Sequence, residues 1–265
     1  MPVYSSQQNW HRLHDYVEIA KPRISMMVLL TVTVGYVLGV KGEWSFAVLA
    51  NACFGIALVA AGSSAVNQWY EQKTDALMRR TKNRPLPAGR LSSSEVLLVG
   101  ICSAVVGCLQ IASFVNGLTA VMTGMTFLLY VCAYTPLKRK TSLCTAVGAV
   151  PGALPPVLGW LAAGGSLDEA AFSLFGLLFL WQFPHFLAIA WLYRDDYFDA
   201  GLRMLPAGKP LPHVTGLLAV GYALGLIPVS MLPAYCGLAG LAYSATALIL
   251  GMVYLIAAVQ FACDE

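Results

Sequence analysis

Charge is what this chain has least of. Only 11% of its 265 residues are Asp, Glu, Lys or Arg, while 58% are hydrophobic and the mean hydropathy is +0.69. A soluble domain covers itself with far more charge than that, so a water-soluble enzyme is excluded. Paired cysteines are also lacking. The seven (Cys53, Cys102, Cys108, Cys132, Cys144, Cys236 and Cys263) are scattered with no Cys-x-x-Cys pair, which argues against a disulfide framework or a zinc site and leaves them as packing residues. A cleavable leader is missing too. The opening stretch "MPVYSSQQNWHRLHDYVEIAKPR" is polar and has no apolar segment before a small-residue cleavage site, so the first apolar run is expected to stay in the mature protein. The net charge of +3 says little by itself, and no nucleic-acid partner is expected.

What the chain has is apolar length. A helix needs about 17 to 25 apolar residues to cross a hydrocarbon core of about 30 Å. Eight runs qualify, at 24–40, 46–68, 95–114, 118–136, 143–163, 170–192, 213–232 and 236–260. The expected fold class is all-α, a polytopic transmembrane helical bundle set in the lipid bilayer, forming one domain over 1–265 with a polar N-terminal tail over about 1–22. Basic residues orient it. Fifteen of the sixteen fall before span 1 or after spans 2, 4 and 6, and only Lys41 falls on the other side. The rich face is read as cytoplasmic, with both termini and the long loops on it, in a bacterial-type inner membrane.

Two of those long loops rhyme. Arg84-Pro-Leu-Pro-Ala-Gly-Arg90 matches Arg203-Met-Leu-Pro-Ala-Gly-Lys209, and each follows a carboxylate cluster at a span end. Two pseudo-repeated four-helix halves would place such clusters opposite each other. In the first cluster Asn67, Glu71 and Asp75 share one helix face, a polar stripe about 12 Å long. The second holds Asp195, Asp196 and Asp199. Solvated helix ends would be the plain explanation. However, charge near membrane depth is expensive unless it pairs or faces a polar cavity, and three acids in five residues repel each other.

Opposed hard oxygen ligands suit Mg²⁺, which takes one or two carboxylates and completes its shell with water and phosphate oxygens. The cations point the same way. Arg79, Arg80 and Arg84 follow the first acids, and Lys138 with Arg139 end span 4; guanidinium groups bind phosphate bidentately and Lys acts as a point charge. A metal-held diphosphate beside an apolar bundle interior describes a site for an isoprenyl diphosphate. An allylic cation would need a dry aromatic lining, for which Trp69, Tyr70, Tyr130, Tyr134, Trp160, Trp181, Phe183, Phe186, Trp191 and Tyr197 are candidates.

These residues resemble a known family. The stretch "NQWYEQKTDALMRRTKNRPLPAGR" is similar to the Asn-x-x-x-Asp-x-x-x-Asp signature of the UbiA-type intramembrane prenyltransferases. "KPRISMMVLLTVTVGY", "YTPLKRKTSLCTAVGAVPGALPPVLGW" and "PHFLAIAWLYRDDYFDAGLRMLP" resemble the haem-modifying branch of that family more narrowly. The resemblance implies a UbiA-like fold, a farnesyl diphosphate donor, haem b as acceptor and Mg²⁺. It implies a haem O product passed to a downstream haem-modifying enzyme or terminal oxidase assembly. It assigns Asn67, Glu71, Asp75, Asp195 and Asp199 to the metal, with Asp196 as a further catalytic acid, and Arg79, Arg80, Arg84, Lys138 and Arg139 to the diphosphate. His185, after Pro184, is a candidate haem contact. Three departures stand out: Glu71 and Cys144 replace the family's Asp and Asn, and the family's ninth span is not visible, so a missing C-terminal helix is expected. Rival readings are a family member with another aromatic or tetrapyrrole acceptor, a cation-coupled transporter, and a non-catalytic haem-delivery protein.

Overall fold

The computed structural model describes residues 3–205 and 213–264, with side chains from residue 12 onward. Ten helices organise it. Helix α1 (Val3–Ala20) precedes six spans, α2 (Pro22–Gly39), α3 (Phe46–Asp75), α4 (Ser93–Phe114), α5 (Gly117–Leu137), α6 (Cys144–Ala162) and α7 (Glu169–Leu192). A short α8 (Arg194–Asp199) and the spans α9 (Val214–Tyr235) and α10 (Leu241–Asp264) follow. All eight spans are long and apolar enough to cross a bilayer, and the protein is an integral membrane protein.

The span starts carry the expected caps. Ser45, Asn116 and Asp168 each accept a backbone N–H three residues on, from Val48, Thr119 and Ala171. Ser92 does the same for Glu95 and opens a Ser-x-x-Glu box. Helix α3 departs most from the sequence-based boundaries: it runs on to Asp75 rather than stopping at 68. Its 30 residues reach about 45 Å, so the acid stripe lies on a helix that projects past the hydrocarbon, and no loop starts before the last carboxylate.

The tail expected over 1–22 is instead the helix α1, lying across the charge-rich end of the bundle. Gln68 of α3 donates to the Ile19 carbonyl at 2.9 Å, Arg90 pairs with Asp15 and Glu18 at 2.7 and 2.8 Å, and Arg12 and Tyr16 both bond Glu95. The signal was present in polar spacing without an apolar run, which a search for spans passes over.

Small residues set the helix seams, as membrane packing favours. A Cβ on Gly159 of α6 would lie 1.9 Å from the Val32 carbonyl oxygen of α2, and one on Gly35 would lie 1.9 Å from that of Pro156. Gly55 and Gly62 of α3 meet Gly107 and Gly100 of α4 in the same reciprocal way. Two irregularities shape the interior. Helix α6 breaks at Leu154 ahead of Pro155, where the missing N–H ends the ladder. Residues Leu129–Tyr134 of α5 form a π-helical turn, a feature that often marks functional sites. Of the two rhyming loops, Arg84–Arg90 is described, with Gly89 at φ 70°, whereas part of Arg203–Lys209 lies outside the described residues.

Candidate active site

The inner ends of α1, α2, α3, α5, α7 and α8 enclose a polar mouth cavity of 880 Å³. Asn67, Glu71, Asp75, Arg80, Arg84 and Lys138 all line it, so the 3.6-residue period does bring the stripe and its cations to one space. Asp75 is 1% exposed, and its Oδ2 accepts from Arg84 Nη1 at 2.6 Å. Glu71 Oε1 lies 2.8 Å from Lys138 Nζ, an ion pair without hydrogen-bond geometry. Asn67 donates its amide to Thr135 at 3.1 Å, and Thr135 donates to the Tyr130 carbonyl at 2.8 Å. The Tyr130 carbonyl thus accepts both the backbone N–H and the hydroxyl of Thr135, which fixes the Thr135 side chain against Asn67. The Thr81 hydroxyl donates to the Asp75 carbonyl at 2.8 Å and folds the following loop back under the helix end.

Beyond the mouth, a second cavity of 330 Å³ runs between α2, α3, α5 and α6, and the two share Lys21, Ile24, Tyr130, Tyr134 and Phe186. Its wall is apolar in effect although it contains hydroxyls. Ser63, Thr123 and Thr126 each donate to a carbonyl one turn back in their own helix, and Ser25 donates to the Ala20 carbonyl at the end of α1, which turns those protons away from the space; Ser64 Oγ, on the same wall, has no hydrogen-bond partner. Tyr130 and Tyr134 stand at the neck with ring centroids 5.2 Å apart, and Lys138 Nζ sits 4.5 Å from the Tyr134 ring centre.

The second acid cluster takes a different place. Asp195 and Asp199 are exposed, Asp196 is half-buried, and none of them lines either cavity. Helix α8 turns Tyr197 inward instead. Tyr197 lines the mouth, Arg80 approaches its hydroxyl at 3.5 Å and stacks its guanidinium over Tyr193 at 4.8 Å, and Met78, Ala200 and Leu202 pack around it. Arg79 and Arg139 are exposed and outside the cavities, as is His185, which stacks on Trp181 at 5.5 Å. Of the ten candidate aromatics only Tyr130, Tyr134, Phe186 and Tyr197 line a cavity. Trp160 is buried elsewhere, donating to Ser166, and Phe183 stacks on Tyr222 at 3.9 Å.

The structure also adds residues that the motif reading passed over. His14 and Glu18 of α1 reach the mouth, and with Asp15 they form a group close enough to hold a metal ion. Arg90, however, already pairs with both of its acids. Lys21 is more telling. It precedes Pro22, which disfavours the right-handed helical region at that position, and it adopts φ 49°, ψ 64°. That bend between α1 and α2 puts Lys21 where the two cavities join. Desolvation first, then the charges of Arg84 and Lys138, push its ammonium down to about 7. A bound anion restores the charged form. Titration calorimetry of a prenyl diphosphate in buffers of different ionisation enthalpy should therefore show proton uptake between pH about 7 and the ordinary lysine value, fading below about 6. Lys21→Met should abolish that uptake, and uptake that survives in the variant would place the titrating group elsewhere.

The comparisons with known proteins agree on a family. The family model described as UbiA prenyltransferase family matches residues 28–264. A protoheme IX farnesyltransferase of Solibacter usitatus (strain Ellin6076) is 41% identical over 262 residues, covering 96% of this chain and 90% of the relative. One of the same name from Koribacter versatilis (strain Ellin345) is 42% identical over 245 residues, covering 90% and 78%. Among solved structures, a UbiA homologue from Archaeoglobus fulgidus bound to DMAPP and Mg²⁺ matches with a TM-score of 0.67 at 18% identity, over 94% of this chain and 86% of that one, a likeness of fold. Eight spans around an acid-and-cation mouth that leads into an apolar cavity, and a family match running from α2 to α10, lead to one conclusion: the chain belongs to the UbiA prenyltransferase family and is an intramembrane prenyltransferase.

Proposed function

We propose that this prenyltransferase moves a farnesyl group from farnesyl diphosphate to a vinyl group of haem b, with addition of water, giving haem O and diphosphate. The observation that carries the reading is the joined pair of cavities, one rich in charged side chains, the other largely apolar. The haem acceptor rests on the likeness to relatives of that name.

Mg²⁺ fits the donor set of the mouth. Asn67, Glu71 and Asp75 offer hard oxygens, and Asp75 Oδ1 is buried without a hydrogen-bond partner, a cost of about 1–3 kcal/mol or more for a charged group unless something else satisfies it. Bound there, Mg²⁺ would supply Lewis-acid stabilisation of the diphosphate leaving group. Arg84 and Lys138, which now neutralise Asp75 and Glu71, are placed to turn to phosphate oxygens once those carboxylates have another partner. Arg80 completes the set, while Arg79 and Arg139 stay in solvent. The second acid group, Asp195, Asp196 and Asp199, keeps a lesser part in this reading, because α8 presents Tyr197 to the mouth.

The farnesyl C1–O bond breaks with its electrons leaving on diphosphate. The vinyl group forms a bond to C1, and water adds to the resulting cation and loses a proton. Tyr130 and Tyr134 face the neck where positive charge develops, and their π faces stabilise it. The basic-residue asymmetry supports a mouth on the cytoplasmic side, in this reading that of a bacterial-type inner membrane, from which haem O would pass to a downstream haem-modifying enzyme or terminal oxidase. Incubation of the purified protein with haem b, farnesyl diphosphate and Mg²⁺, followed by mass spectrometry of extracted haem, should give haem heavier by farnesyl plus water. Prenylation of a small aromatic acid alone would move the acceptor and keep the chemistry.

A further inference from the structure

We infer that Ile56 of α3 and Leu158 of α6 form the floor that sets the length of the prenyl donor at three isoprene units. The inference rests on the proposed site for the donor and goes beyond it by naming what measures the tail.

The lining residues descend each wall in order. On α3 the sequence from the mouth is Asn67, Ser64, Ala60 and Ile56. Ile56 and Leu158 each line the cavity and are also 3% and 2% exposed members of the closed apolar cluster beneath it, where Val32 and Ile111 leave no exposed surface. The space therefore ends at these two side chains.

Its depth can be measured in helix turns. Asn67, the deepest member of the acid stripe, is eleven residues above Ile56, about 16 Å at 1.5 Å per residue. Helix α3 is uninterrupted over this stretch, so the rise per residue holds. An isoprene unit adds four main-chain bonds. Extended chain geometry covers 3.8 Å in three bonds, so each unit spans about 5 Å and three span about 15 Å. A fourth unit would need one more helix turn and would meet Ile56 and Leu158, whereas two units would leave a turn of dry apolar space unfilled. Replacing both floor residues by alanine removes roughly six carbons, close to the five of one isoprene unit.

The test uses the full chain in detergent or lipid with Mg²⁺ and compares geranyl, farnesyl and geranylgeranyl diphosphates, by calorimetric affinity and by transfer. Wild type should favour the farnesyl donor. Ile56→Ala/Leu158→Ala should raise the ratio of geranylgeranyl to farnesyl kcat/KM by about tenfold to a hundredfold, the scale on which apolar pockets discriminate. Ile56→Phe should move preference toward geranyl, and this opposite shift separates a ruler from a merely loosened bundle. An unchanged order of the three donors in both variants, each still melting cooperatively, would overturn the inference, as would a wild type that binds none of the three. If the shifts appear in the affinities while wild type leaves haem unmodified, the haem reading fails and the ruler stands.

Discussion

Asp75→Asn is expected to cut Mg²⁺-dependent farnesyl transfer by at least about a hundredfold, the loss seen when one preorganised electrostatic group is removed from a reacting centre. The exchange keeps the shape of the side chain and removes its charge, so the metal loses a buried anionic oxygen that nothing else satisfies. It also leaves Arg84 without its partner. Truncating one member of a fully buried pair costs about 3–5 kcal/mol, but the Arg84 side chain is 21% exposed and turns toward the mouth water, so the variant should fold. Asp75→Asn/Arg84→Gln separates the two effects, because it restores charge balance and any lost stability without restoring turnover. Turnover at the wild-type rate with an unaltered Mg²⁺ requirement in Asp75→Asn would remove the acid stripe from the chemistry.

Gly159→Leu is expected to destroy the bundle and leave the cavity walls unassembled. Even a methyl group there would lie 1.9 Å from the Val32 oxygen and 2.7 Å from the Tyr36 nitrogen, and backbone has no rotamer with which to move aside. Overpacking of ordinary cores already costs about 1–3 kcal/mol, and each kcal/mol is worth about 2–4 °C in a chain of roughly this size. The expected results are loss of the monodisperse peak in detergent, or a melting midpoint lower by about 10 °C or more. Gly124→Ala is the control, since its nearest neighbour would be Cys108 Sγ at 3.7 Å. A Gly159→Leu protein that melts like wild type would mean that α2 and α6 stand further apart than the seam described here.

The sequence made the spans legible because apolar length has only one use in a bilayer, and six of the eight were placed within three residues at each end, with the last one five residues early at its start. The larger exception was the inner end of α3. Hydropathy ends the span at Gln68, while the helix continues to Asp75, with Gln68 tied to α1, Glu71 to Lys138 and Asp75 to Arg84 of the loop behind. Half of the site was legible for a related reason: Asn67, Glu71 and Asp75 are one helix period apart, and a period survives folding without distortion. The other half was not. Asp195 and Asp199 have the same spacing, but α8 is only six residues long, and the packing of Tyr197 against Met78 decides which side turns inward. The place of Lys21 depends on a single backbone bend, and the neck tyrosines depend on a π turn; neither leaves a periodic trace. His185 follows a proline in an apolar helix, a setting that invites a ligand reading, yet it faces outward while its neighbour Phe186 lines both cavities.

The backbone bond from the Arg203 N–H to the Lys138 carbonyl, 2.7 Å long, fastens the loop behind α5 to the one behind α8. Lys138 is also the partner of Glu71, so one short segment clasps the two inner loops together and reaches into the reaction chamber. A carrier that exposes its site to alternate sides of a membrane must let such halves swing past each other. The bond between the two inner loops suits a standing vessel through which reactants come and go.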